Sequence, residues 1–514
     1  MIVLRLSNAV VTVHGGLLFD EQSARSVRSM IADDSTSDEA RPPLAAEPAS
    51  AVTGYVPPGV SPTAAAGKIL DDIAEDEDRL PGRPLQWLGM MLAAAVVGAT
   101  TGVVGAIFRI TLAWLERERT HVVALAHAHA PAGIGWMIPL ALCAVGAAVG
   151  SWLTEKLAPH TAGSGIPRVE AVLRSHLRPA GALILPVKFI GGALSIGSGL
   201  ALGREGPTVQ MGGTVGRLFY DAFKKFTPEP WTMIAAGAGA GLAVAFNAPL
   251  AATLFVVEEL IHRFSARIFS ATLIACISGT LVLRAMLGNA TDFHVLVAGG
   301  TVPATVLPEY LLLGVVAGLL GVGFNVCLLA SLRGFGRFNR WPSGSKGAIV
   351  GAAAGLIAWF APAAVGGGET LAQAAIDRPL ALSVVAGLLG LRFMLTMASY
   401  GCGAPGGIFA PLLALGALLG SAFYSAVGVM RHAPPHPSAY VVVAMAACFT
   451  AVVRSPLSAV VLVLEMTGAW TLILPMMAAS VTAYAIPELL RNEPIYDSLR
   501  ARDEAMERAQ GKTA

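Results

Sequence analysis

The chain has 514 residues, of which 55% are hydrophobic and only 13% charged, with a formal net charge of +2. Soluble proteins carry roughly 25% charged residues, so this composition, with a mean hydropathy of +0.66, excludes an ordinary soluble domain and reads as a polytopic membrane protein. So small a net charge gives no electrostatic case for a nucleic-acid partner.

Residues 1–66 stand apart. "DDSTSDEARPPLAAEPASAVTGYVPPGVSPTAAAG" is rich in Pro, Ser, Ala and acid and poor in large apolar residues. It cannot bury enough surface to offset ordering entropy, so a disordered tail is expected. The opening "MIVLRLSNAVVTVHGG" lacks a basic segment followed by a continuous apolar core and is not read as a signal peptide. Residues 67–83 are expected to form an amphipathic surface helix leading into the membrane.

From residue 84 the chain is a series of apolar runs. A membrane helix needs about 20 apolar residues. Candidate spans are 85–115, 134–157, 183–203, 230–260, 268–288, 307–332, 344–366, 380–401, 406–428, 439–466 and 472–490. Several are overlong or interrupted by Gly and Pro, as in "AAGAGAGLAVAFNAPLAATLFVVEEL". These predict pairs of short helices meeting inside the membrane, where broken backbone is tolerated only if it lines a cavity or is buried in protein. The spacing of Gly98, Gly102 and Gly105 predicts close helix packing.

Two blocks echo each other. "GREGPTVQMGGTVG" (203–216) aligns with "GIFAPLLALGALLG" (407–420), and "FNAPLAATLFVVEE" (246–259) with "VRSPLSAVVLVLEM" (453–466). The near-equal offsets imply a duplication, here divided into repeats 84–300 and 301–514. Repeated halves with interrupted helices suit a transporter with its site between the halves. The sequence leaves open whether the repeats run parallel or inverted.

Three junctions place glycine-rich turns before a proline near a first helical turn: "AGSGIPRVEAVL" (162–173), "LGREGPTVQMGG" (202–213) and "APGGIFAPLLALG" (404–416). Free N–H groups and the helix dipole make such starts attractive to anions; each alone also reads as an ordinary helix break. Ser164 adds a hydroxyl. Glu205 is a tethered anion at such a start. Adjacent helical residues do not face each other, so a salt bridge to Arg204 is a poor explanation for it.

In these strings, and in "GGIFAP" (406–411), "LVLEMT" (462–467) and "EPIYDSL" (493–499), the chain resembles the CLC chloride channels and chloride/proton antiporters, over about residues 80–514. The resemblance implies an all-α integral membrane fold of inverted repeats with tilted and broken helices, and a homodimer with one anion pathway per subunit. It assigns Ser164, Gly165, Ile408, Phe409 and Tyr496 to anion binding, Glu205 to gating and proton coupling, and Glu259 to internal proton transfer. Lys188 and Arg204 would lie near the pathway, as sources of field or as structural partners. Serine at 164 points to chloride rather than nitrate or fluoride.

Other readings of the same residues stand beside these. Glu258 and Glu259 also fit a solvated helix end, and the echo of Glu258 in Glu465 suggests a structural role for that pair. Tyr496 also fits an interfacial aromatic. Arg284, Arg392 and Arg454 fit snorkelling or span ends. His121, His127 and His129 are read as a solvated loop, and no metal is expected. The five cysteines read as small buried hydrophobes.

The expected function is chloride/proton antiport, with chloride and protons as the transported ions, membrane lipid as surroundings and no cofactor. The alternative is a passive chloride channel of the same fold, disfavoured by a titratable residue at 259. An intramembrane enzyme is disfavoured because Ser164 has no recognisable triad and no HExxH motif occurs. The chain ends soon after Tyr496, so nucleotide-sensing domains and nucleotide regulation are not expected. The expected location is a bacterial inner membrane.

Overall fold

The computed structural model describes residues 2–6, 9–13 and 84–509, apart from 132, 175–176, 178, 180, 225–228, 290, 296–302 and 431–435. At the start of the expected disordered tail, β1 (Ile2–Leu6) pairs antiparallel with β2 (Ala9–Val13). "IVLRL" and "AVVTV" are rich in the β-branched residues that favour strands, a local signal outweighed in the composition of the whole tail. The rest of residues 1–83, including the expected surface helix at 67–83, lies outside the described residues.

In the unit Arg79–Ala514 the described residues form helices joined by turns and two isolated bridges. Its first eight helices are α1 (Pro84–His129), α2 (Met137–Leu157), α3 (Ile166–Leu173), α4 (Ile184–Gly197), α5 (Glu205–Ala222), α6 (Pro230–Phe246), α7 (Pro249–Phe255) and α8 (Ala266–Leu287). The next eight are α9 (Leu307–Gly336), α10 (Ser345–Phe360), α11 (Glu369–Asp377), α12 (Leu382–Gly401), α13 (Phe409–Met430), α14 (Pro437–Val453), α15 (Pro456–Thr467) and α16 (Ile473–Leu489). A final helix, α17 (Ile495–Ala509), follows. Seven helices among the described residues are long and apolar enough to cross a membrane: α1, α2, α8, α9, α12, α13 and the stretch Trp470–Leu489 containing α16.

The expected broken spans are broken. Run 230–260 divides at Asn247, whose φ of 52° ends α6 before Pro249 opens α7. Run 439–466 divides at Arg454 (φ 72°) before Pro456 opens α15. Each proline sits at the first helical position, where its missing N–H costs nothing.

The two halves pack alike. α5 lies on α6 as α13 lies on α14, and α1 lies on α8 as α9 lies on α16. They also meet reciprocally. Gly203 and Gly407, equivalent in the two repeats, exchange two backbone hydrogen bonds of 2.8 Å as an antiparallel bridge. Such an exchange between equivalent residues is what a pseudo-two-fold axis relating the two halves produces.

A second reciprocal contact reinforces the first. Glu258 accepts the N–H groups of Leu457 and Ser458 at the start of α15, at 3.1 and 2.7 Å. Its echo Glu465 accepts those of Leu250 and Ala251 at the start of α7, at 3.2 and 2.7 Å. Each half supplies the carboxylate that caps the other half's helix, where orphan N–H groups and the dipole both favour a negative charge.

Several expectations change. α1 runs on to His129, so His121, His127 and His129 lie on a helix rather than in a loop. "AWLERERTHVVALAHAHA" holds strong helix formers and no Gly or Pro, so nothing ends the helix earlier. His127 stacks on Trp359, centroids 3.5 Å apart. Arg392 does not snorkel: it is fully buried, and its guanidinium donates to the carbonyls of Ala364, Gly366 and Gly367. Arg454 is also buried, while Arg284 bonds Asn247 at 2.9 Å. Four cysteines are buried as expected, but Cys327 faces outward from α9. The glycine stripe behaves as expected: a Cβ at Gly98 or Gly102 would collide with the backbone of α8 at Ala275 or Gly279.

Candidate functional site: a buried centre where four helices begin

Four helix starts meet at the middle of the helical unit. Ser164 and Gly165 precede α3, Glu205 opens α5, Phe409 opens α13 with Ile408 before it, and Tyr496 is the second residue of α17. Backbone bonds join three of the turns: Gly406 N–H donates to Gly163 at 3.0 Å, and Gly203 and Gly407 pair as described. Two glycines are required by the closeness of this junction. A Cβ on Gly206 would fall on the backbone of Ser164, and one on Gly407 on the Glu205 carboxylate.

Glu205 is fully buried, and its Oε1 accepts the Phe409 N–H at 2.6 Å. Its Oε2 has no hydrogen-bond partner among the described residues, nor do the buried hydroxyls of Ser164 and Tyr496. Orphaned buried polar atoms are costly in a finished interior. Several in one place are what a site for a polar guest looks like. The Ser164 backbone N–H does have a partner, the Tyr400 hydroxyl at 3.4 Å.

Around this polar point the walls are apolar. The Phe409 ring lies 4.5 Å from that of Phe449, 5.3 Å from Phe255 and 5.8 Å from Tyr496. Ile408 is fully buried. Ser164, Gly165, Glu205, Ile408, Phe409 and Tyr496 are thus gathered at one centre.

Glu259 is placed separately. It lies on a π turn, Val256–Ile261, and accepts the Ser455 hydroxyl at 2.5 Å. π turns occur often at functional positions. The equivalent stretch of α15 stays α-helical, and there Met466 stands where Glu259 stands. Tyr496 lies within electrostatic reach of Glu205, Ser164 and Glu259 alike.

Lys188 and Arg204 do not point at the centre. The buried Lys188 ammonium donates to the carbonyls of Thr161 and Gly163 at 2.8 and 2.7 Å and so holds the turn that carries Ser164. Arg204 bonds the Ala245 carbonyl and pairs with Asp292 and Glu369, each at 3.0 Å. Asp292 also pairs with Arg109 at 2.6 Å. This network borders a cavity of about 110 Å³ reaching Gly203 and Ala410. A vestibule of about 480 Å³, sharing no lining residue with that cavity, is bounded by Gly163, Gly165, Tyr400 and residues of α17.

Sequence reasoning missed Tyr400, Ser455 and Asp292. Ser455 had a signal, because it is the polar residue at a repeat position held by Ala248 in the other half. Asp292 lay in an unremarkable loop, and its role depends on where that loop folds. Glu170, His262 and Asp497 bring potential ligand atoms within 4.8 Å of one another. Arg500 already occupies that place as a cation, pairing with Glu170 at 2.5 Å and Asp497 at 2.8 Å.

These features define a class: a multi-pass membrane protein of two pseudo-symmetric halves enclosing a buried polar centre made from helix starts. Residues 145–488 match the family model described as voltage gated chloride channel. The chain is 39% identical over 442 residues to the H(+)/Cl(-) exchange transporter ClcA of Salmonella paratyphi A, covering 84% of this chain and 92% of that protein. It is 38% identical over 444 residues to the ClcA of Salmonella typhimurium, with the same coverage. Among solved structures, a slow cyanobacterial Cl−/H+ antiporter superposes with a TM-score of 0.77 at 33% identity, over 81% of this chain and 98% of that one. The chain belongs to the voltage-gated chloride channel (CLC) family.

Proposed function

We propose that this protein is a secondary active transporter that moves chloride across the membrane in exchange for protons. The relatives reported above carry that activity in their names, and each is a transporter rather than an enzyme. One observation supports the reading most: the Glu205 carboxylate sits on the Phe409 N–H at the start of α13, beside the unpartnered hydroxyls of Ser164 and Tyr496. A carboxylate held by an anion-binding helix start stands where a chloride ion would stand.

In this reading Ser164, Tyr496 and the backbone around Gly165, Ile408 and Phe409 bind chloride through neutral donors, strongly enough to select it and weakly enough to release it. Ionised Glu205 competes with chloride. Protonated Glu205 gives up the site, so one side chain links the two ions. Glu259, held by Ser455, hands protons to the vestibule side. Lys188 and Arg204 act as structural partners, and Glu258 caps a helix. The two halves divide near residue 300.

The loops on the vestibule side are basic. Arg333, Arg337, Arg340 and Lys346 lie around the α9–α10 turn, and Arg263 and Arg267 follow the π turn. The positive-inside rule makes that side cytoplasmic. The homodimer rests on the resemblance alone, and cross-linking in native membranes tests it.

The experiment is Glu205→Gln in liposomes, with chloride and proton movements recorded together. The variant should move chloride with no accompanying protons. Proton movement that persists with its coupling to chloride intact contradicts the role of Glu205.

A further inference from the structure

We propose that Asp503 acts as an electrostatic valve on the cytoplasmic chloride pathway, retarding anions when ionised and admitting them when protonated. The proposal rests on the antiporter reading above and adds to it a residue outside the central site.

Asp503 lies on α17 and lines the vestibule with Gly163, Gly165 and Tyr400, whose other sides reach the Ser164 turn. Its carboxylate forms no ion pair and no hydrogen bond among the described residues. The neighbouring carboxylates are all paired. Glu507 holds Arg168 at 2.5 Å and His160 at 3.5 Å. Glu155 holds Lys346 at 3.4 Å, and Glu504 holds Arg508 at 3.1 Å and Arg500 at 3.7 Å. Lys188, on the far side of the Ser164 turn, is committed to carbonyls but feels the charge of Asp503, as does Tyr400.

An acidic side chain with no ion pair of its own adds a negative field along the vestibule it lines, opposed there by Arg502 and Arg168. Anions are the species that must cross that field. Burial raises the Asp503 carboxyl to about 6; Arg502 and Arg168 oppose the rise, and Glu507 and Glu504 add to it. Above that pH the group is charged and repels chloride. Below it the group is neutral and the obstacle disappears.

The test uses the full chain in liposomes with Glu205→Gln, so that the central glutamate no longer titrates. Chloride efflux is measured with equal pH on both sides, from about pH 8 to about pH 5. Efflux should rise roughly three- to tenfold on acidification, with a midpoint near 6. Adding Asp503→Asn should make efflux high and flat with pH. Adding Asp503→Glu should restore the rise, which a purely structural role for the residue does not predict. A rise that survives Asp503→Asn, or efflux already flat in Glu205→Gln alone, overturns the proposal while leaving the transport reading intact. Absence of chloride movement in the unmodified protein overturns both.

Discussion

At Glu205 a buried acid is held by one N–H and has an oxygen to spare. Its sequence equivalent in the second half is Phe409, the residue whose backbone holds it. The carboxylate and the N–H that holds it thus belong to the two copies of one repeat position. The hydroxyls of Ser164 and Tyr496 have no competing partner to release, so their removal should be felt by the bound ion. Hydrogen bonds to charged groups contribute about 1.5–3 kcal/mol. We therefore predict that Ser164→Ala or Tyr496→Phe weakens chloride binding about tenfold or more, read by calorimetry on purified protein. An unchanged affinity in both variants removes these hydroxyls from the site. Ser455→Ala deletes the hydroxyl that holds Glu259, so it should lower the protons moved per chloride while chloride flux continues. A flux ratio equal to the unmodified protein's would make that contact incidental.

At the scale of elements, the symmetric contacts build the scaffold, and the positions proposed to carry the chemistry are asymmetric. Glu258 and Glu465 occupy equivalent positions and make equivalent caps. Either one changed to Ala should cost about 1–3 kcal/mol, seen as a lower melting temperature, without altering the proton-to-chloride ratio. A changed ratio with unchanged melting would reverse that assignment. By contrast Glu259 aligns with Met466 in the repeat, and Ser455 with Ala248. The π turn under Glu259 also has no counterpart in α15. Gly206 belongs to the scaffold: Gly206→Ala places a methyl on the Ser164 backbone and should slow chloride turnover about 10- to 100-fold by displacing that turn. Normal turnover in that variant would show that the turn can yield.

Much of this was legible in the sequence. Pro249 and Pro456 marked the breaks because proline cannot continue a helix, and Gly203, Gly206 and Gly407 marked the junction because only glycine lets three backbones come so close. The echo of Glu258 in Glu465 announced a shared structural role. What was not legible depended on contacts between distant segments. No local pattern says that Tyr400 meets Ser164, that Asp292 binds two arginines, or that Arg392 caps three carbonyls deep inside. The length of α1 was misjudged because apolarity was used to end a helix that helix propensity continues.

For the whole molecule, two separate cavities reach the turns that build one centre. Arg109, Arg204 and Glu369 border one of them, and α17 borders the other. Tyr496 ties α17 directly to the centre, so the last helix belongs to the transport unit. In the proposed reading chloride follows one line through this arrangement, and protons share it at Glu205 and leave it toward Glu259, a position that Met466 holds in the other half. That proposed divergence is the claim most worth testing. The measurement is internal pH in liposomes holding the full chain, with a chloride gradient, no initial pH gradient and charge compensation. The account predicts that chloride flow drives protons uphill, and that Glu259→Gln stops the protons while chloride continues. Chloride flow with no proton movement in the unmodified protein would contradict it and make this family member a passive channel.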